Sequence, residues 1–358
     1  MKLGARIFKT GIAIVFSLVL AEIFNLPSPI FAGIAAIFAI QPTIYRSYLS
    51  IIEQIQGNIV GALIAVIFVL TLGNSVIIIG LAAIIVITIN LKLKIPNTIS
   101  LSLVTVIAIM ESPGDEFIEF AIIRFLSIML GVLAAFIVNL VFLPPKYENK
   151  LYHKISNITE EITKWIRLNS RHASEHTFLK KDIEKLKEEI IKLNQLYLMY
   201  KEERNYFKRS TAVKARKLVI YRHMIATTKK AIEILKRLHR FENDVSHLPE
   251  DFHTEIQHQL DYLIDRHEQI MLKFIGKVKP QTSFEEQCLN RKELFSLFIA
   301  KQKEITYENE VTFFHIMQLI SFIIEYDEHL DHLDVLVTSF KSYHKKENEV
   351  NIGEPNHE

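Results

Sequence analysis

Six apolar stretches occupy the first 145 residues, near 4–24, 29–44, 52–72, 75–91, 97–111 and 118–143. A helix crossing the hydrocarbon of a bilayer needs about 20 apolar residues, and shorter ones are accommodated by kinks or local thinning. The stretches therefore predict an all-α chain that opens with a transmembrane domain over 1–145, a polytopic bundle of about six spans. The second and fifth stretches are short, and read either as complete short crossings or as paired broken segments. A cleaved signal peptide is the other reading of the first stretch. The apolar segments directly behind it, and the lack of a small-x-small site before Pro27, argue against that reading.

Charge divides the chain in the same place. Residues 1–145 hold seven Lys/Arg, six Asp/Glu and no His, which leaves 35 Lys/Arg, 34 Asp/Glu and all 14 His to residues 146–358. A second part so charged yet nearly neutral lacks the positive excess of a nucleic-acid footprint. Basic residues mark the cytoplasmic side of membrane proteins. With the N-terminus inside, Lys2, Arg6, Lys9, Arg46, Lys92, Lys94 and Lys146 fall on one side, and Glu22, Glu111, Asp115, Glu116 and Glu119 on the other. Six crossings then leave the C-terminal domain in the cytoplasm. Arg124 fits this scheme as a residue at the outer interface, since 125–143 is long enough to span. The single cysteine, Cys288, excludes an internal disulfide framework and a cysteine-built zinc site.

Landmarks recur at an interval of about 70 residues. Pro27 and Pro96 are 69 apart, Pro42 and Pro113 are 71 apart, and Gly61 and Gly131 are 70 apart. Asn25-Leu26-Pro27 answers Lys94-Ile95-Pro96, and Gly61-Ala62-Leu63-Ile64-Ala65 answers Gly131-Val132-Leu133-Ala134-Ala135. A copy of three spans has to insert with the opposite orientation to its neighbour. Inverted repeats with a short, proline-interrupted helix at matching positions are a mark of transporters, whose substrate site lies at the repeat interface. Coincidence among Leu-, Ile- and Ala-rich helices is the plainer reading.

Polar groups inside hydrocarbon are costly and face a bundle interior or a cavity. The main cluster is Gln41-Pro42-Thr43, then Arg46, then Glu53, Gln54 and Asn58. Pro42 denies the Phe38 carbonyl its helical partner, which places exposed backbone polarity beside Gln41. These seven residues form the candidate substrate path. Gly57, Gly61 and Gly131 read as helix-packing positions, the first two as a GxxxG pair. Asn90 and Asn139 read as span-end residues, where polarity costs little.

The stretch from Gln41-Pro42-Thr43-Ile44-Tyr45-Arg46-Ser47 to Glu53-Gln54-Ile55-Gln56-Gly57-Asn58-Ile59-Val60-Gly61-Ala62 resembles the signature of the aromatic acid exporter family, within the wider fusaric-acid-resistance type of membrane proteins. The resemblance implies a multi-pass plasma-membrane protein that exports small aromatic carboxylates. Larger members carry two membrane halves, so a single half implies a homodimer or higher assembly.

Pro144-Pro145 closes the membrane part, and from Lys146 the pattern is helical. Ile183, Leu186, Ile190, Leu193, Tyr197, Tyr200 and Phe207 form one heptad seam, and Ile323, Tyr326, Leu330, Leu333, Val337 and Phe340 another, as in bundles and coiled coils. Helices are expected near 147–172, 176–208, 211–243, 249–277 and 284–345, with a capping box at Ser283–Glu286 and a possible break near Tyr307. This gives a cytoplasmic helical domain over 146–346 and a disordered tail over 347–358. The apolar run Phe313–Ile324 is too short for a seventh span and reads as core. His329 and His332 read as surface residues, with no metal site.

No phosphate-binding loop and no Gly-x-Ser-x-Gly nucleophile motif occurs, so no nucleotide, cofactor, metal or enzyme activity is expected. The resulting expectation is an exporter of small organic anions. The alternative is a membrane-anchored helical scaffold or regulator without transport.

Overall fold

The computed structural model describes residues 5–41, 43–111, 117–141, 147–171, 176–203, 208–279, 289–306 and 310–343. The described residues are overwhelmingly helical, with no strand among them, and the chain divides into two compact units, 1–145 and 146–358.

In the first unit α1 runs Ala5–Ile23, α2 Pro29–Ala39, α3 Ile44–Leu72, α4 Val76–Lys92, α5 Ile99–Met110 behind a 3-10 turn at Pro96–Thr98, and α6 Phe117–Val141. Two stretches, Tyr45–Leu72 and Ile118–Val141, are long and apolar enough to cross a bilayer, and α2, α4 and the Pro96–Met110 segment are shorter apolar helices. α3 begins well before the apolar stretch expected from residue 52. The cause is a cap: the Thr43 hydroxyl accepts the Arg46 amide at 3.1 Å and draws the polar run 45–53 into the helix.

Side-chain sizes in this unit are distributed opposite to those of a water-soluble fold. The interior is built from small residues such as Ala13, Ala32, Ala35, Ala36, Ala65 and Ala135, while Leu70, Val76, Ile77 and Ile122 stand more than half exposed. Small interior residues let helix backbones approach without a hydrophobic drive from water. A broad exposed apolar surface marks contact with lipid or a partner.

The packing has an internal pattern. α1 packs on α2 and α6, α4 packs on α5 and α3, and the closest pairings are α2 with α6 and α3 with α5. Exchanging α1, α2 and α3 for α4, α5 and α6 leaves this pattern unchanged. The backbone carries the same correspondence. Asn25 (φ 51°) and Lys94 (φ 60°) are the non-glycine residues with positive φ among those described. Each closes a helix, with Leu26 N–H donating to the Ala21 carbonyl and Ile95 N–H to that of Asn90, both at 3.0 Å. Close helix approaches correspond too. A Cβ at Gly61 would lie 2.7 Å from the Ser102 carbonyl oxygen, and one at Gly131 would overlap the backbone of Ala32. Gly61 and Gly131 are 70 residues apart, as are Ala32 and Ser102.

In the second unit α7 runs Tyr147–Ser170, α8 His176–Glu202, α9 Lys208–Arg240, α10 Glu242–Ser246, α11 Glu250–Phe274, α12 Arg291–Ala300, α13 Gln302–Thr306 and α14 Glu310–Tyr343. The expected final helix over 284–345 is therefore divided. α12 starts at a capping box in which the Asn290 side chain accepts the Glu293 amide and the Glu293 carboxylate accepts the Asn290 amide. That box has no distinct signal in the sequence, and the one expected at Ser283–Glu286 lies outside the described residues, as do Pro42, Pro113, Pro144, Pro145, Phe207, Cys288, Tyr307 and the tail. α9 packs on α7, α8 and α14, and α11 on α7 and α14. Ile183, Leu186, Ile190, Leu193 and Tyr200 of α8, and Ile323, Tyr326, Leu330, Leu333, Val337 and Phe340 of α14, are all buried in one continuous core. The run Phe313–Ile324 lies in α14, with Ile316, Leu319, Ile320 and Ile323 in that core.

Polar latches tie these helices together. Glu148 accepts from Lys217 at 2.7 Å and from the Tyr200 and Tyr221 hydroxyls at 3.3 and 3.4 Å. Asp327 bridges Arg266 at 2.8 Å and Arg291 at 2.6 Å, and Asp331 contacts both arginines as well. Asp327 is 14% exposed, so removing it leaves two guanidiniums short of a partner in a partly dry site. Asp327→Ala is expected to cost about 2 kcal/mol, below the range for fully buried pairs because water reaches both arginines. Trp165, the one tryptophan of the chain, packs against this core. Its fluorescence during melting reads the effect, and an unchanged transition would show that the network contributes nothing.

Candidate functional site

α2, α3 and the turn into α5 enclose a cavity of about 440 Å³ in the first unit, lined by Phe38, Gln41, Arg46, Leu49, Ser50, Glu53, Gln54, Asn97, Thr98, Ser100 and Leu101. That volume suits a small ligand with one ring.

The local chain path explains the polar rim. α2 stops at Ala39, yet its last carbonyls are occupied. The Phe38 carbonyl accepts from the Gln41 amide at 3.2 Å and from the Ser50 hydroxyl at 3.4 Å, and the Ala39 carbonyl accepts from Ser47 at 3.2 Å. The free Phe38 carbonyl expected from Pro42 is thus taken up by the side chains of Gln41, in the turn, and Ser50, on the next helix. Buried backbone oxygens seldom stay unpaired, and α3 begins with enough hydroxyls to reach them.

Of the seven candidate path residues, the structure brings four to the cavity wall: Gln41, Arg46, Glu53 and Gln54. Thr43 is 2% exposed and caps α3. Asn58 is 1% exposed and lies deeper, its side chain donating to the Gln54 carbonyl at 2.9 Å and accepting from Thr105 at 2.6 Å. Pro42 lies outside the described residues. Gly57 and Gly61 press against α5, where a Cβ at Gly57 would come within 2.9 Å of Thr98. The Ser102 hydroxyl donates to the Gly57 carbonyl across this contact at 2.9 Å.

The opposite wall consists of residues that went unnamed in the sequence reading. Asn97 donates to Glu53 at 3.2 Å, and Thr98 donates to Asn90 at 3.0 Å. The signal for them was the polar run Pro96-Asn97-Thr98-Ile99-Ser100 opening the short fifth segment. Gln54 is 5% exposed at this wall; its amide donates to Ser50 at 3.4 Å and its Oε1 has no partner. The cavity therefore offers a cation (Arg46), a carboxylate (Glu53, held by Asn97), amide and hydroxyl groups and an unsatisfied carbonyl, beside the apolar faces of Phe38, Leu49 and Leu101.

Three other polar residues are more deeply placed than expected. Asn90 is fully buried and Asn139 is 3% exposed, each in hydrogen bonds. Asn139 donates to the Gln41 carbonyl at 3.1 Å and to Ser47 at 2.7 Å, and accepts from Lys9 at 3.4 Å. It thereby ties α1, α6 and the α2–α3 turn together. Arg124 is 2% exposed and sits inside the helix bundle instead of at its rim, because Phe31 of α2 covers its guanidinium.

The family described as aromatic acid exporter family member 1 matches residues 1–142. The UPF0421 protein YgaE of Bacillus subtilis is 56% identical over 99% of this chain and all of its own length. The UPF0421 protein OB2406 of Oceanobacillus iheyensis is 30% identical over 46% of this chain and 47% of its own. A UPF0421 protein of Staphylococcus epidermidis is 32% identical over 54% of this chain and 58% of its own.

Proposed function

Since the chain belongs to the UPF0421 proteins and its residues 1–142 match the aromatic acid exporter family, we propose that it exports small aromatic carboxylates across the cell membrane through the first unit. The observation that carries the substrate class is the cavity, which joins Arg46 to three apolar side chains. A guanidinium suits a carboxylate, and Phe38, Leu49 and Leu101 suit a ring. Gln41, Gln54, Asn97 and Ser100 orient the ligand by hydrogen bonds, while the Glu53 carboxylate, held by Asn97, repels the ligand carboxylate and so favours its placement at Arg46.

In this reading α1 to α6 are six crossings, with the N-terminus and the second unit in the cytoplasm. The Lys9–Asn139–Gln41 cluster supports that order, since it joins the start of α1 to the ends of α2 and α6 at one face. α1–α3 and α4–α6 are then two copies of one inverted unit. The exchange-symmetric packing, the paired left-handed residues and the matched glycine contacts all support this. A second copy of the chain completes the assembly by covering part of the exposed apolar surface. The second unit is a cytoplasmic accessory domain.

The test is retention of labelled aromatic acids by cells with and without the gene. Arg46→Gln and Gln41→Ala are each expected to slow export by about tenfold at unchanged membrane abundance, the scale of losing a charge-assisted contact. Equal retention in the presence and absence of the gene, across a panel of acids, would remove the proposal. Truncation at residue 145 separates the scaffold reading: if the phenotype follows residues 146–358 alone, the helical unit is the functional part.

A further inference from the structure

Arg124 is the large charged side chain most deeply enclosed in the first unit, and no protein acceptor uses most of it. It is 2% exposed; Nη2 donates to the Val104 carbonyl at 3.0 Å, while Nε and Nη1 are buried with no partner. Its guanidinium carbon lies 3.9 Å from the centre of the Phe31 ring, and Phe31 meets Phe120 edge to face with centroids 6.3 Å apart. A guanidinium stays charged in such a place. Enclosing a cation without a counter-charge is costly, and the ring face offsets only part of that cost. An anion would remove the remainder, and a planar carboxylate can take a whole edge of the fork.

The position is specific. Asn139, hydrogen-bonded to the cavity residue Gln41 and to Ser47, lies fifteen residues further along α6. At 1.5 Å per residue that sets Arg124 about 22 Å away along the helix. The 70-residue correspondence fixed by Gly61 with Ser102 and Gly131 with Ala32 maps Gln54 onto Arg124, Leu101 onto Phe31 and Ser50 onto Phe120. Gln54, Leu101 and Ser50 line open space. Their counterparts are shut, with Phe31 lying on the guanidinium.

We propose that Arg124, Phe31 and Phe120 form a second carboxylate site at the far end of the first unit, the closed counterpart of the Gln54 cavity. Displacement of Phe31 opens it, the ligand carboxylate takes the free edge of Arg124, and its ring packs against Phe120. The proposal rests on the export reading and on the two-copy arrangement of the helices.

Equilibrium binding of labelled benzoate to the purified full-length chain in lipid nanodiscs tests it, with efflux of the same probe from proteoliposomes as the second readout. To isolate the site, binding is compared in an Arg46→Gln background. Arg124→Gln, which installs the residue found at the corresponding position, is expected to weaken binding by about tenfold or more, and Arg124→Lys by clearly less. Phe31→Leu, again the corresponding residue, is expected to tighten binding because it removes the cover. Unchanged affinity in Arg124→Gln overturns the site, as does the absence of any carboxylate binding. Should Arg124→Gln fail to fold, unchanged affinity in Phe31→Leu overturns it equally. Efflux that proceeds normally in Arg124→Gln removes the site and leaves the export reading standing. Binding that needs Arg124 without efflux of the probe removes export and leaves the site.

Discussion

Replacing Gly131 by alanine should separate α2 from α6 and sharply reduce the heat resistance of the first unit. A Cβ there would lie 2.8 Å from the Ala32 Cα and nearer still to its carbonyl group. All three of the nearest atoms belong to backbone, so no rotamer change relieves the overlap and the helices themselves must part. Overpacking typically costs about 1–3 kcal/mol, and this contact belongs at the upper end because it is rigid. Gly131→Leu should prevent assembly altogether. Gly61→Ala should show the same sign with a smaller loss, its Cβ being 2.7 Å from the Ser102 oxygen. Gly11 and Gly80 provide controls, since nothing lies within 4 Å of a Cβ at either. Alanine there should be neutral or mildly stabilising through helix propensity. Ala32→Gly should not rescue Gly131→Ala, because the obstructing atoms remain. The measurement is the fraction of protein surviving a heat step in detergent, read by gel filtration. Survival of Gly131→Ala equal to that of Gly80→Ala would sink the argument.

That glycine also shows how much of the fold could be read in advance. Spacing alone paired Gly61 with Gly131 and Pro27 with Pro96, because a repeat leaves its mark in landmark residues. Which helix each glycine meets could not be read, since the partners Ser102 and Ala32 have no distinctive residue type in common. Their correspondence is visible only once α3 lies on α5 and α6 on α2. The apolar stretches match the helices of the first unit to within a few residues except where α2 meets α3, the stretch 29–44 ending as a helix at Ala39 and α3 starting early. There a threonine cap outweighed hydropathy, because hydropathy measures solvent preference and takes no account of hydrogen bonds at a helix end. In the second unit the heptad seams identified the buried faces of α8 and α14, since a 3–4 spacing directly reports one side of a helix. The division of the last helix was less legible, because Asn290 and Glu293 form one of many equally plausible capping pairs in so polar a segment.

The candidate site was half legible for a related reason. Gln41, Arg46, Glu53 and Gln54 drew notice as polar residues in an apolar context, and they line the cavity. Asn97 and Ser100 come from a segment more than 40 residues on in the sequence, and only folding sets them opposite. The sequence puts Arg124 at the rim, because a charge near a span end normally reaches water. Its burial depends on Phe31 and Phe120, aromatic residues on two different helices, and nothing in the local sequence announces that cover.

Acidification should destabilise the second unit through His267. This histidine of α11 is completely buried; its Nδ1 pairs with the Tyr326 hydroxyl of α14 at 2.9 Å, and its Nε2 has no partner. Burial holds its pKa down at about 4, against 6.5 for an ordinary histidine. A charged ring would need to donate from both nitrogens, and only one has somewhere to donate. Above pH 6.5 the ring is neutral in the folded and the unfolded chain alike, so it leaves stability independent of pH. Between 6.5 and about 4 the unfolded chain takes up a proton that the folded chain refuses, so stability falls with each step downward. Over that window the loss from this residue approaches about 3 kcal/mol, and below it the loss levels off. His223 and His329, also lowered first by burial, add in the same direction. Melting followed by Trp165 fluorescence should therefore shift clearly downward from pH 7 to pH 4.5. His267→Gln keeps a donor for Tyr326 without a titrating group, and should start lower at pH 7 but lose much less on acidification. Equal acid sensitivity in His267→Gln and the parent chain would assign the effect to other groups, because no neutral substitute at this position could reproduce the proton uptake of the unfolded histidine.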